Sequence, residues 1–400
     1  MNRKQFVILL VLVAIVGGAG LMLYRKQASS WAGGGEASGT KLLGDLPVND
    51  VAQIIVKQDT NQLTLAKKND LWRVQERNDY AANFSEISGL LLKLRDLKVV
   101  QTEKVGPSQL PRLALATGQG TNTATVVELR DAGGKAIKTL LLGKPHMKSS
   151  GKSSPMEEFG GGGYPDGRYV MVGGTSGSVA LISDPLSNVE AKPGSWLNKD
   201  FFKVEKVRVV AVTFPTATNS WKLTRETESG EWKLADSKPG EQLDSAKTSG
   251  VSNPLSSPGF EDVSVGAKPG ETGLDKPTTI ALETFDGFNY TIKVGAKTND
   301  NYFLTVALAA NLPQARTPGK EEKPADKDKL DKEFKEKQKK LEEKLAQEKG
   351  FEKWTYLVAG WTVDPLLKER SQLFVEKKDE SKKDEPKPDE KPEAEKKSEK

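Results

Sequence analysis

Hydrophobic and polar positions between residues 48 and 375 change period in a set order, and that order runs twice. Each run opens on an alternating β-branched stretch, VAQIIV at 51–56 and VRVVAV at 207–212, the period-two signature of a half-buried strand. A second strand then leads to a tryptophan strand: LTL (63–65) to LWRV (71–74), and WKL (221–223) to EWKL (231–234), which makes Trp72 and Trp232 equivalent. In the first run a helix follows. Asn83 and Glu86 have capping-box spacing, and Phe84, Ile87, Leu90, Leu91, Leu94 and Leu97 fall on one face. In the second run Asp244 begins a similar helix, which Gly250 and Pro254 shorten.

Hairpins come next. TVVEL (125–129) turns at Asp131-Ala-Gly-Gly134 into TLLL (139–142), and IALET (280–284) turns at Asp286-Gly287 into YTI (290–292). Asp-Gly between alternating strands predicts a tight turn with positive φ at both residues. Each run closes with two strands and an Asp-Pro pair. YVMV (169–172) and VALI (179–182) reach Asp184-Pro185, while YFLT (302–305) and YLV (356–358) reach Asp364-Pro365. Asp before Pro predicts a helix start, with a carboxylate cap and a preset first turn. The pattern therefore specifies an α+β fold: two duplicated, mainly antiparallel-sheet domains, each with a covering helix.

Three segments fall outside the repeats. Residues 6–24 are an uncharged apolar run that as a helix extends roughly 28 Å, a bilayer core. Arg3 and Lys4 precede it and Tyr24, Arg25 and Lys26 follow, a small positive-inside bias toward a cytoplasmic N-terminus. The rival reading is a cleaved signal peptide with its site at Gly17-Gly18-Ala19. Residues 320–353 are dense in Lys and Glu, with Leu330, Phe334, Leu341 and Leu345 on a narrow helical stripe, expected to project as a solvated or coiled-coil-forming charged arm. Residues 376–400 carry no apolar side chain beyond Ala394 and are expected to be disordered. The layout expected is a cytoplasmic N-terminus (1–5), a transmembrane anchor (6–24), a flexible linker (25–44), a first repeat domain (45–200), a second repeat domain (201–375) with its helical insert (320–353), and a charged tail (376–400).

Composition narrows the chemistry. The 60 Lys+Arg nearly balance the 55 Asp+Glu, so no one-signed field points to nucleic acid. With no cysteine there is no disulfide, thiolate metal site, cysteine nucleophile or lipoprotein anchor. The one histidine, His146, reads as a surface-loop residue rather than a base. Gly160 to Gly163 lack the Lys-Ser/Thr and helix of a phosphate loop and read as a hairpin connection. Asp184 and Asp364 could be a carboxylate pair, but their matching contexts favour capping. The tryptophans read as packing residues, with Trp361 the candidate for carbohydrate stacking. No catalytic, cofactor-binding or metal-ligating residue is assigned, and no enzymatic activity is expected.

These strands, with Gly273-Leu274-Asp275-Lys276-Pro277 and with Gly143 and Gly295 after the second hairpin strands, resemble the domain-of-unknown-function family 4340 in two tandem copies. The first copy departs from the family pattern, with Leu110-Pro111-Arg112-Leu113 in place of the Gly-Leu-Asp-x-Pro words. The resemblance implies an envelope-facing protein, sometimes found beside ABC-type transporter and gliding-associated components, and no catalytic residues. The expectation is a single-pass protein of the inner membrane. Its soluble region lies on the periplasmic side and offers sheet edges and the charged arm to a protein partner, transporter subunits being the candidates. The alternatives are a glycan- or peptidoglycan-binding module and a carboxylate-dependent envelope hydrolase.

Overall fold

The computed structural model describes residues 39–375 except 119, 149–163, 174–177, 252 and 319–321. The expected anchor (6–24), the Gly160 to Gly163 connection and the tail (376–400) lie outside the described residues. Among the described residues no helix is long and apolar enough to cross a membrane.

The first sheet is built from β1 (Gln53–Gln58), β2 (Asn61–Lys68), β3 (Leu71–Val74), β4 (Tyr80–Ala81), β5 (Val99–Lys104), β6 (Thr125–Arg130), β7 (Ala136–Lys148), β8 (Tyr164–Val172) and β9 (Ser178–Ile182). The second uses β10 (Val207–Thr213), β11 (Trp221–Thr224), β12 (Lys233–Leu234), β13 (Asp262–Ser264), β14 (Thr278–Thr284), β15 (Phe288–Thr298), β16 (Asn301–Ala310) and β17 (Thr355–Ala359). Their orders are β4-β3-β2-β1-β6-β7-β8-β9-β5 and β12-β11-β10-β14-β15-β16-β17-β13, so without β4 the two orders are the same. Neighbouring strands pair antiparallel in both sheets, as in β1 with β6 and β10 with β14. The register repeats too: Leu65 faces Val74 as Leu223 faces Leu234, which sets Trp72 and Trp232 at corresponding positions. Burial alternates residue by residue along β6 and β15, because each strand turns one face to the core.

The covering helix α1 (Phe84–Asp96) buries Ile87, Leu90, Leu91 and Leu94. Phe84 is 64% exposed and departs from the expected apolar face. Asn83 caps the helix through Ser85 N and Glu86 N, but the reciprocal half of the capping box is replaced: Asn83 N donates to Trp196 O at 2.8 Å. In the second half Asp244 caps a single turn, α2 (Ser245–Thr248).

Both hairpins turn alike. Gly134 N donates to Asp131 O, and Gly287 N donates to Thr284 O. Only the glycine takes positive φ, +80° and +88°, so Asp286 does not adopt the conformation expected of it; the loop is one residue longer than a two-residue turn.

The segment before each hairpin is also shared. A short helix, Pro107–Leu113 in the first half and α3 (Pro269–Thr272) in the second, ends on a left-handed residue, Ala114 (φ 52°) or Gly273 (φ 67°). The next residue then donates back across five, Leu115 N to Leu110 O and Leu274 N to Pro269 O. This corner lies on the second hairpin strand at a glycine. A Cβ on Gly143 would stand 2.3 Å from Leu113 O, and one on Gly295 would stand 2.1 Å from Thr272 O. Ala114-Leu115 therefore occupies the place of Gly273-Leu274, and the apparent departure at Leu110 to Leu113 is a shift along the sequence.

Several expectations are corrected. Residues 39–44 are no flexible linker: Gly39 and Leu42 donate to Val99 O and Leu97 O, and Leu43 is buried. The Asp-Pro pairs do not start helices. Asp184 accepts from Leu186 N in a local turn, and Asp364 follows the turn α5 (Gly360–Val363) at its C-terminal end. The insert does not project as a free arm. Its helix, α4 (Lys327–Lys349), lays Leu341 and Leu345 against the core, and Glu348, 6% exposed, accepts from Tyr290 Oη at 2.7 Å and Lys203 N at 3.0 Å. At the first sheet's edges, residues 39–42 pair with Leu97 to Val99 at the start of β5, while Leu197 and Asn198 pair along β4.

Gly295→Ala should lower stability by about 3 kcal/mol, because the carbonyl it strikes is backbone. Gly89→Ala, in the middle of α1 with open space around its Cβ, should raise stability by about 0.5–1 kcal/mol. Chemical denaturation of both variants checks the pair, and a harmless Gly295→Ala would refute the corner.

Candidate functional site at the junction of the two sheets

Most buried apolar residues of both sheets form one continuous cluster, while Leu115, Ala124, Leu141, Met171 and Val179 of the first half make a second, smaller one. Its junction is made by the connector after the short helix Pro193–Trp196. Asn198 N donates to Ala81 O at 2.8 Å, so the connector runs along β4 before delivering Phe201 and Phe202 inward. There Phe201 meets Tyr356 (ring centroids 4.6 Å apart) and Phe260 (5.1 Å), while Tyr80 from the first sheet meets Trp354 (5.0 Å) and Phe260 (5.8 Å). Most of these contacts are edge-on or tilted, the arrangement in which ring quadrupoles attract.

Polar contacts lock the same seam. Arg77 Nε and Nη2 donate to the two carboxylate oxygens of Asp262 at 2.7 and 2.6 Å, a bidentate pair three-quarters shielded from solvent. That hydrogen bond raises the Arg77 pKa. Lys199 Nζ donates to the carbonyls of Phe260 and Glu261, and burial pushes its pKa down. Burial likewise pushes the Tyr80 phenol up to about 12 and raises Tyr356 and Tyr290.

Outside the aromatic seam lies a row of open hollows of about 230, 370 and 820 Å³. All three are lined by Arg73, on β3 opposite Ala81. Arg73 is half-buried as a residue, and its guanidinium has no hydrogen bond or ion pair among the described residues. Lys353 lines the two smaller hollows, with its ammonium 5.4 Å from the Trp354 ring. The largest hollow reaches Leu71 and Phe84 on one side and Asp200 on the other.

The residues singled out from the sequence do not meet here. His146 is in β7 rather than in a surface loop; its Nδ1 is 2.6 Å from Asp166 Oδ1 and its ring is edge-on to Tyr169. Asp184 stands 3.5 Å from Lys93, while Asp364 lies against Tyr302, whose pKa is raised first by burial and then by that carboxylate. The two aspartates share no partner. Trp72 is buried, Trp232 is half-buried beneath Arg225, and Trp361 is 71% exposed. Among the described residues no three His, Asp or Glu side chains form a group that could hold a metal. Sequence reasoning missed Arg73, Lys353 and the Phe201-Phe202 pair. Adjacent phenylalanines between two sheet units were the available signal; nothing distinguished Arg73 from other strand cations.

The architecture is that of an α+β protein with two large antiparallel sheets on one core. Residues 72–277 match the family described as Domain of unknown function (DUF4340), just over half of the chain, and the chain belongs to that family. The match runs from Trp72 in the first sheet to Pro277 at the threshold of β14, across the junction. No curated protein and no solved structure matches.

Replacing Asp262 by Ala should destabilise by about 2 kcal/mol, since it strands a shielded guanidinium. Adding Arg77→Met should restore part of that loss, and strict additivity in the double-mutant cycle would dismiss the pair. Alkaline pH tests the aromatic seam. The folded state holds the Tyr80 proton more tightly than the unfolded chain, so the stability it contributes is whole below the ordinary pKa of 10.0 and is lost as pH rises toward about 12. Melting temperature should fall across that window and fall less in Tyr80→Phe; a flat profile would contradict the assignment.

Proposed function

We propose that this chain is a non-catalytic, membrane-anchored envelope protein, an accessory or scaffold subunit of an ABC-type transporter-like assembly. In this reading residues 6–24 span the inner membrane with residues 1–5 in the cytoplasm, and two tandem copies of the family fold stand on the periplasmic side. The observation that carries it is the union of two sheets of the same strand order through one aromatic core. That construction supports a rigid, extended contact surface. It brings no reactive set to the junction from the residues singled out in the sequence. Docking of residues 39–44 on the first sheet supports the placement, because it would hold the folded body close to the apolar run.

The glycan-binding alternative retains one favourable observation, the exposed Trp361, but the other described tryptophans are buried or half-buried rather than set in a row. The hydrolase alternative draws no support from Asp184 and Asp364, the carboxylates singled out in the sequence, because their partners differ.

Affinity purification of the full chain from detergent-solubilised inner membranes, read by mass spectrometry, tests the proposal. The chain should be in the membrane fraction and transporter subunits should co-purify. Finding it in the soluble fraction, or reproducibly alone, would overturn the reading.

A further inference from the structure

Among the charges that line the junction hollows, Lys68 pairs with Asp79 at 2.7 Å and Asp70 with Lys67 at 3.2 Å. Lys199 donates to two backbone carbonyls, and Asp200, which lines two of the hollows, accepts from the Asn198 amide at 3.2 Å and keeps its charge. The cations without a hydrogen-bonded or ion-paired partner are Arg73, half-buried, and Lys353, held over an aromatic ring. A guanidinium without a protein partner is open to an incoming anion, and its planar fork matches a carboxylate. The corresponding position of the second sheet makes the contrast. Lys233 holds the register of Arg73, and it is exposed and paired with Glu226 at 3.1 Å. The unpaired cation therefore belongs to the first sheet and to the junction, not to the shared fold.

The surroundings have a period as well. Along β3, Trp72 and Val74 point into the core, so Leu71 and Arg73 share the outer face roughly 7 Å apart. Leu71 is 57% exposed, and Phe84 stands beside it on the same hollow. An apolar patch and a free cation two strand residues apart complement an extended chain carrying an apolar residue and, two positions on, a carboxylate. Backbone augmentation is closed to such a chain at β4, because the connector occupies that edge.

We propose that the outer face of β3 and the hollows beside it are a docking groove for an extended acidic peptide segment of a partner protein. Its apolar side chain rests on Leu71 and Phe84, its carboxylate is taken by Arg73, and Lys353 and Trp354 close the far side. The proposal deepens the scaffold reading by locating the partner contact.

The test uses the full chain in detergent and a short fluorescein-labelled peptide with the core Leu-Ser-Glu, followed by anisotropy. The wild-type chain should bind it saturably, and Arg73→Gln should weaken binding about ten-fold with an unchanged or higher melting temperature. Leu71→Ser should weaken it about three-fold, and a peptide with Gln in place of Glu should lose as much as Arg73→Gln does. No saturable binding would overturn the proposal, as would equal binding by Arg73→Gln. A lowered melting temperature with binding retained would mark Arg73 as structural. Competition by inorganic phosphate as effective as by unlabelled peptide would reduce the groove to a simple anion site. The two readings fail separately. Full recovery of membrane partners by Arg73→Gln would dismiss the groove and leave the scaffold, whereas wild-type chain that binds peptide but recovers no partner would do the reverse.

Discussion

The structure depends on a single packing event: Phe201 packs against both Tyr356 and Phe260, which also touch each other, with Tyr80 closing from the first sheet. Each sheet has an apolar face that must leave water, and one helix or a few loops cannot cover eight or nine strands. The rings at the seam bury large areas with specific mutual orientation, and so make the two faces parts of one core. The bidentate Arg77 to Asp262 contact adds direction, because a planar fork accepts a carboxylate in few poses.

Backbone proximity is the second constraint. In both halves the corner before the hairpin rests on the second hairpin strand so closely that only glycine fits beneath it, at Gly143 and Gly295. Different words meet the same demand, Ala114-Leu115 in one half and Gly273-Leu274 in the other, since the left-handed turn tolerates alanine at modest strain. This explains how two stretches of dissimilar sequence make the same corner.

A buried acid shows how the charged insert became structural. Glu348 is held by the Tyr290 hydroxyl and the Lys203 amide, and Lys344, one turn earlier, reaches the Lys203 carbonyl and Glu205. These contacts lie on the half of α4 that carries Leu341 and Leu345. On the solvent side, i,i+4 pairs such as Lys329 with Glu333 accompany the exposed residues. A helix dense in Lys and Glu is thereby a solvated surface on one side and a fully engaged one on the other.

Much of the fold was legible in the residues themselves. Alternation located the longer strands, β-branched runs and Asp-Gly words marked the hairpins, and Asn83 and Asp244 announced their helices, because these signals act within a few residues of where they are written. Distance in space was not legible. Asp-Pro looked like a helix start at Asp184 and Asp364, and the insert looked like a free arm, because a local pattern does not show which surface lies opposite it. The groove at Arg73 was invisible for the same reason: a strand arginine becomes unusual only when the packing around it leaves it without an ion pair. Order and period of the elements were determined by the chain alone, while the junction, the fate of the charged helix and the unpaired cation were decided by which faces came together.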